Sequence, residues 1–97
     1  MPNELHRHYF RGVTSYNYGH VHRYSGATSA DPDIPRHVHY MAGRTTFDDG
    51  HTHDYAAVTG PEINVDGGHY HYYEGVTRVA RGHVHYFRGF TSIHRES

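Results

Sequence analysis

The sequence predicts an all-β chain: six short strands in three doublets of about 31 residues, laid out as a β-hairpin meander or a short β-solenoid. Three observations predict it. One short motif recurs six times in 97 residues. Within each copy, residue types alternate with a period of two. Glycine falls about every seven residues, a spacing hostile to helix.

The units follow in order. Unit one holds His6 and His8, then Phe10, Gly12 and Thr14. Unit two holds His20 and His22, then Tyr24, Gly26 and Thr28. Unit three holds His37 and His39, then Met41, Gly43 and Thr45. Unit four holds His51 and His53, then Tyr55, Ala57 and Thr59. Unit five holds His69 and His71, then Tyr73, Gly75 and Thr77. Unit six holds His83 and His85, then Phe87, Gly89 and Thr91. The shared pattern is (G)-H-x-H-x-(aromatic or Met)-x-G-x-T, and only His94 of the 13 histidines lies outside it.

First histidines are 14, 17, 14, 18 and 14 residues apart, so the units pair into doublets at about 5–29, 36–60 and 68–92. Residues 1–97 read as a single domain. The long connectors between doublets hold Pro32, Pro35 and Pro61. Short links inside the doublets end in turn candidates, Asn17-Tyr18-Gly19, Asp48-Asp49-Gly50 and Ala80-Arg81-Gly82, with glycine where a positive φ costs little. In unit six, His83, His85, Phe87, Gly89 and Thr91 share one strand face, and Val84, Tyr86, Arg88 and Phe90 the other. The motif glycine reads as a bend or a close strand approach. The threonine reads as a cross-strand or turn hydrogen bonder, and the aromatic as packing beside the histidines.

Composition narrows the function. Leu, Ile, Val and Phe are few, so an apolar core alone is thin for this length, while ten tyrosines and a net charge of −1 argue against disorder. Thin-cored small domains are held by disulfides, metals or self-association. No cysteine is present, which leaves the last two. All nine basic residues are arginines, spread along the chain, which predicts no nucleic-acid partner. No apolar run is long enough for a membrane span, and the N-terminus has no apolar signal region. The expected location is the cytoplasm or a cell or spore surface.

A His-x-His pair in extended chain puts both imidazoles on one face, with Cβ atoms about 6–7 Å apart. Their nitrogens can converge on one ion at about 2.0–2.1 Å. One pair supplies two ligands, so a site needs two or three pairs. All-nitrogen ligation suits Zn, Cu, Ni or Fe. The twelve paired histidines are therefore the expected metal ligands. Alternate units should share sites: His6, His8, His37, His39, His69 and His71 in one group, His20, His22, His51, His53, His83 and His85 in the other. Regular repetition argues against an enzyme, because a catalytic site carries an open position and a distinct base, and Glu4, Glu62, Glu74 and Glu96 hold no fixed place relative to the pairs.

The run G-H-V-H-x-Y-x-G-x-T-S, at Gly19 to Ser29 and closely at Gly82 to Ser92, resembles the YmaF family of bacterial proteins. The resemblance covers nearly the whole chain and implies a His-rich repeat without an established activity. Departures are Leu5 and Arg36 before the first histidines of units one and three, and Ala57 in place of the motif glycine. The expected function is a transition-metal-binding structural protein whose pairs staple a homo-oligomer or filament. The alternatives are a metal store and, last, a metalloenzyme. No capping segment flanks the repeat and no lysine guards its strand edges, so the expected partner is a second copy of the chain.

Overall fold

The computed structural model describes residues 4–96. Among them there is no helix, and the strands form small ladders that do not merge into one closed sheet. Three hairpins make the body. Strand β2 (Tyr9–Val13) pairs antiparallel with β3 (Arg23–Ala27), β5 (Tyr40–Arg44) with β6 (Asp54–Val58), and β8 (Gly68–Val76) with β9 (Tyr86–Phe90). Among the described residues four further strands, not anticipated from the sequence, lie outside the hairpins: β1 (Leu5–His6), β4 (Asp31–Pro32), β7 (Glu62–Val65) and β10 (His94–Arg95). Strand β1 pairs with β4, and β7 and β10 flank the start of β8.

The hairpin links close through tight turns. Asn17 and His20 exchange two main-chain hydrogen bonds of 3.2 Å, and Asp48–His51 and Ala80–His83 repeat the exchange. Both central residues of each turn have positive φ: Tyr18 and Gly19, Asp49 and Gly50, Arg81 and Gly82. This is the primed turn whose twist matches a β-hairpin.

Each hairpin joins the next at a corner. Ser29 N donates to Tyr40 O and Thr46 N to Arg23 O, tying the first hairpin to the second. Gly60 N to Tyr72 O and Arg78 N to Asp54 O tie the second to the third, and Ser92 N to Tyr9 O and Ser15 N to Tyr86 O tie the third back to the first. The result is a pseudo-threefold cage within a body 45 × 20 × 17 Å in extent.

One side chain from each hairpin strand fills the cage: Phe10, Tyr24, Met41, Tyr55, Tyr73 and Phe87. Register explains the motif glycines. Phe10 faces Gly26, Tyr24 faces Gly12, Tyr55 faces Gly43, Tyr73 faces Gly89 and Phe87 faces Gly75. A Cβ at Gly43 or Gly89 would stand 2.6 Å from the opposing Tyr55 or Tyr73 hydroxyl oxygen. Glycine therefore leaves room for the ring of the partner strand, the close approach expected, rather than making a bend.

Candidate metal centres

In five of the six units the hairpin strand begins only after the second histidine; unit five alone carries its His-x-His inside a strand, β8. The expectation that the pairs lie within the strands is corrected to that extent. Their side chains still alternate inward, because the main chain beside them is held by threonine. Thr14, Thr28, Thr45, Thr59, Thr77 and Thr91 accept, at the side-chain oxygen, the main-chain N–H of His22, His8, His53, His39, His85 and His71. Each bond is 2.9–3.0 Å and runs to the other unit of the same hairpin. The same threonines donate their N–H to the same residues' carbonyls.

The residue after each threonine does a second job. The carbonyls of Ser92, Thr46, Ser29, Arg78, Gly60 and Ser15 accept from Nδ1 of His8, His22, His39, His53, His71 and His85, at 2.8–3.0 Å. Every second histidine is thereby assigned the tautomer with its proton on Nδ1 and a bare lone pair on Nε2. Most first histidines follow suit. Nδ1 of His20, His37, His51 and His83 faces the carbonyls of Tyr18, Ile34, Asp49 and Arg81.

The twelve side chains gather by alternate units. His6, His8, His37, His39, His69 and His71 form the odd-unit group, and His20, His22, His51, His53, His83 and His85 the even-unit group. Within each group the six nitrogens lie within 4.8 Å of one another, a geometry able to hold a metal ion. Antiparallel pairing separates the groups, because the odd strands start where the even strands end. The aromatic core lies between them.

Nε2 atoms meet at 3.1–3.3 Å. In the odd-unit group His6, His37 and His69 touch one another, His8 meets His69, and His71 meets His37. In the even-unit group His51 meets His22, His53 and His83, and His20 meets His85. His71 with His37, and His51 with His53, both carry the Nδ1 proton on a carbonyl bond, so two lone pairs point at each other. The buried His39 Nε2 has no hydrogen-bond partner among the described residues. Such convergence is repulsive unless a cation sits at the focus.

Eleven of the twelve ligand candidates are buried; His20 is half-buried. Burial, the largest cause in each case, lowers His6 and His71 to about 4 and His8 to about 3. Burial likewise lowers His39, His53, His69 and His85. These imidazoles are held neutral, the form that binds metal.

Sequence reading missed the carboxylates. Asp31 lies 3.0 Å from His39 Nδ1, Glu96 3.4 Å from His69 Nδ1, and Asp33 and Glu62 each 3.8 Å from His37 Nδ1. At the other end Asp49 lies 3.2 Å from His20 Nδ1, and Asp48 3.4 Å from His22 Nδ1. Glu62 and Glu96, without a fixed sequence relation to the pairs, are delivered by β7 and by the segment after β10. Asp48 and Asp49 had a visible signal, since both sit in the turn that precedes His51. His94, the one histidine outside the motif, is half-buried and stacks on His6 at 4.5 Å.

A family model described as spore germination protein GerY/YamF, named YmaF, matches residues 1–59 and 53–94. No curated protein and no solved structure is significantly similar to the chain.

Proposed function

The chain belongs to the YmaF family, and we propose that it is a structural metal protein in which two transition-metal ions staple three hairpins. The observation that carries this reading is the convergence of bare Nε2 lone pairs at two foci, with Nδ1 protons tied down by carbonyls outside. A purely structural histidine ladder would turn its N–H donors toward its acceptors. The apolar core between the foci is six side chains, so bound ions would add the cross-links that a disulfide-free chain lacks. Zn, Cu, Ni and Fe all accept imidazole.

All six ligands of each candidate site come from one chain. A homo-oligomer or filament is therefore not needed to complete either site. The family description names spore germination, a process rather than a chemistry; a metal-stapled β-cage is what this chain would bring to it.

Metal analysis of protein purified without a histidine-affinity step should find about two ions per chain. A strong chelator should strip them only as the fold melts, with a large drop in Tm. Ions that leave while the fold and Tm persist would replace the structural reading with storage, and protein that takes up no metal would refute both. Sedimentation of the loaded protein decides self-association.

A further inference from the structure

We propose that both sites are octahedral and coordinatively saturated, selecting six-coordinate divalent ions of the Fe(II), Co(II) and Ni(II) class over tetrahedral zinc and tetragonal copper(II). This rests on the reading above that the histidines bind metal.

The rings stand in an octahedral arrangement. In the odd-unit group every pair of imidazoles lies roughly edge to face, centroids 4.6–5.3 Å apart, except three pairs: His6 with His71, His8 with His37, and His39 with His69. The even-unit group does the same at 4.8–5.1 Å, and its excepted pairs are His20 with His53, His22 with His83, and His51 with His85. Six points with three mutually exclusive opposite pairs are the vertices of an octahedron. The Nε2 separations agree. The 3.1–3.3 Å contacts all join adjacent vertices, never opposite ones. An octahedron with such edges has its centre about 2.2–2.3 Å from each nitrogen, a six-coordinate bond length and longer than the ~2.0–2.1 Å of four-coordinate Zn–N.

Each opposite pair joins two different hairpins, so one ion ties all three. Six neutral ligands in an octahedral field favour d6, d7 and d8 divalent ions. Zinc, without a ligand-field preference, settles in structural sites at four ligands and would leave two buried imidazoles unpaired. Copper(II) prefers a tetragonal site, which this near-threefold set does not offer. With every position filled by histidine, no vertex remains for water or substrate.

Cobalt(II) titration of metal-free protein reads the geometry directly. The result expected is two equivalents bound with the weak visible bands of six-coordinate cobalt, unchanged by excess azide. Intense four-coordinate bands, or a spectrum that azide shifts, would overturn the octahedral proposal while leaving metal binding intact. No uptake of cobalt, nickel, iron or zinc would overturn the metal reading beneath it.

The carboxylates carry a second inference independently. Four of them, Asp31, Asp33, Glu62 and Glu96, stand within 4.0 Å of Nδ1 atoms in the odd-unit group, against Asp48 and Asp49 in the even-unit group. The even end also holds the Arg81 guanidinium on Gly50 O at 2.8 Å. A carboxylate beside a ligating imidazole's N–H raises its basicity and lowers the energy of the cation it faces. We infer that the odd-unit site keeps its ion longer than the even-unit site. In the cobalt-loaded protein, the paramagnetically shifted Nδ1–H signals of the even-unit set should vanish first under stepwise chelation, with the rates at least tenfold apart. Combined Asp33→Asn, Glu62→Gln and Glu96→Gln should close that gap. Simultaneous loss from both sites, or earlier loss from the odd-unit site, in the unmodified protein would end the idea.

Discussion

Ala57 stands where five units carry glycine, and its cross-strand partner is Met41, where the other five carry an aromatic ring. The two departures from the motif explain each other. A flexible thioether chain tolerates the Ala57 methyl that a ring would strike, and Ala57 packs against the core. Met41→Phe alone should therefore destabilise by about 1–3 kcal/mol through overpacking. Adding Ala57→Gly should recover most of that loss, as a double-mutant cycle by urea unfolding would show; additive effects would refute the pairing. The tyrosine hydroxyls give a second test. Tyr24 and Tyr73 share a hydrogen bond of 2.9 Å, whereas the buried Tyr55 hydroxyl has no hydrogen-bond partner among the described residues. Tyr55→Phe should be neutral or stabilising, and Tyr73→Phe should cost about 1 kcal/mol because it strands the Tyr24 hydroxyl. Equal costs in thermal melts would contradict the assignment. The sequence displayed the motif glycine and the close approach it allows, but not which ring approached it, because the facing residue belongs to the other unit of the hairpin.

At the scale of elements, the turns hold a correctable strain. Tyr18, Asp49 and Arg81 occupy the left-handed region, with φ of 54°, 52° and 54°. Asp49 visits that region at little cost, whereas Tyr18 and Arg81 do so at a cost of roughly 1–2 kcal/mol. Arg81→Asn places Asn-Gly in a primed turn, so it should stabilise the fold by about 0.5–1 kcal/mol despite losing the exposed bond to Gly50 O. A lower unfolding midpoint at fixed metal loading would refute this. These turns were legible because each glycine sits at a fixed place before His20, His51 and His83. The all-β class was legible for the same reason, since alternation and glycine spacing leave helix no room. The collar of β1, β4, β7 and β10 was not. The ladders of β1 with β4 and of β10 with β8 are two residues long and that of β7 with β8 four, too short for a periodic signal, and Pro32 and Pro61 read as breaks in chain that nevertheless pairs or adjoins pairing. That collar brings Asp31, Asp33, Glu62 and Glu96 to the odd-unit histidines, so their role was hidden with it.

On the scale of the whole molecule, the cage places two histidine foci at opposite ends of one core, which makes both independence and acid lability testable. His37→Ala with His39→Ala should remove the ion from the odd-unit group and leave one ion per chain in the other; loss of both would mean that the ends are coupled through folding. The acid response follows from the direction of the pKa shifts. His6, His8 and His71 are lowered from 6.5 to about 4, 3 and 4 in the fold. Between those values and 6.5 the unfolded chain holds more protons than the native one, so stability rises with pH across that window. The contribution of neutral histidine is fully present above about pH 6.5 and is lost as pH falls toward 4. Bound metal steepens the loss, since each ion competes with protons for the same nitrogens. Urea unfolding of loaded protein from pH 7.5 to 4.5 should show a midpoint that is flat at the top and falls steadily below pH 6.5, with ions released in the same range. A midpoint unchanged down to pH 4.5 would mean that the buried imidazoles do not set the stability of the cage, and that their neutrality is incidental to its fold.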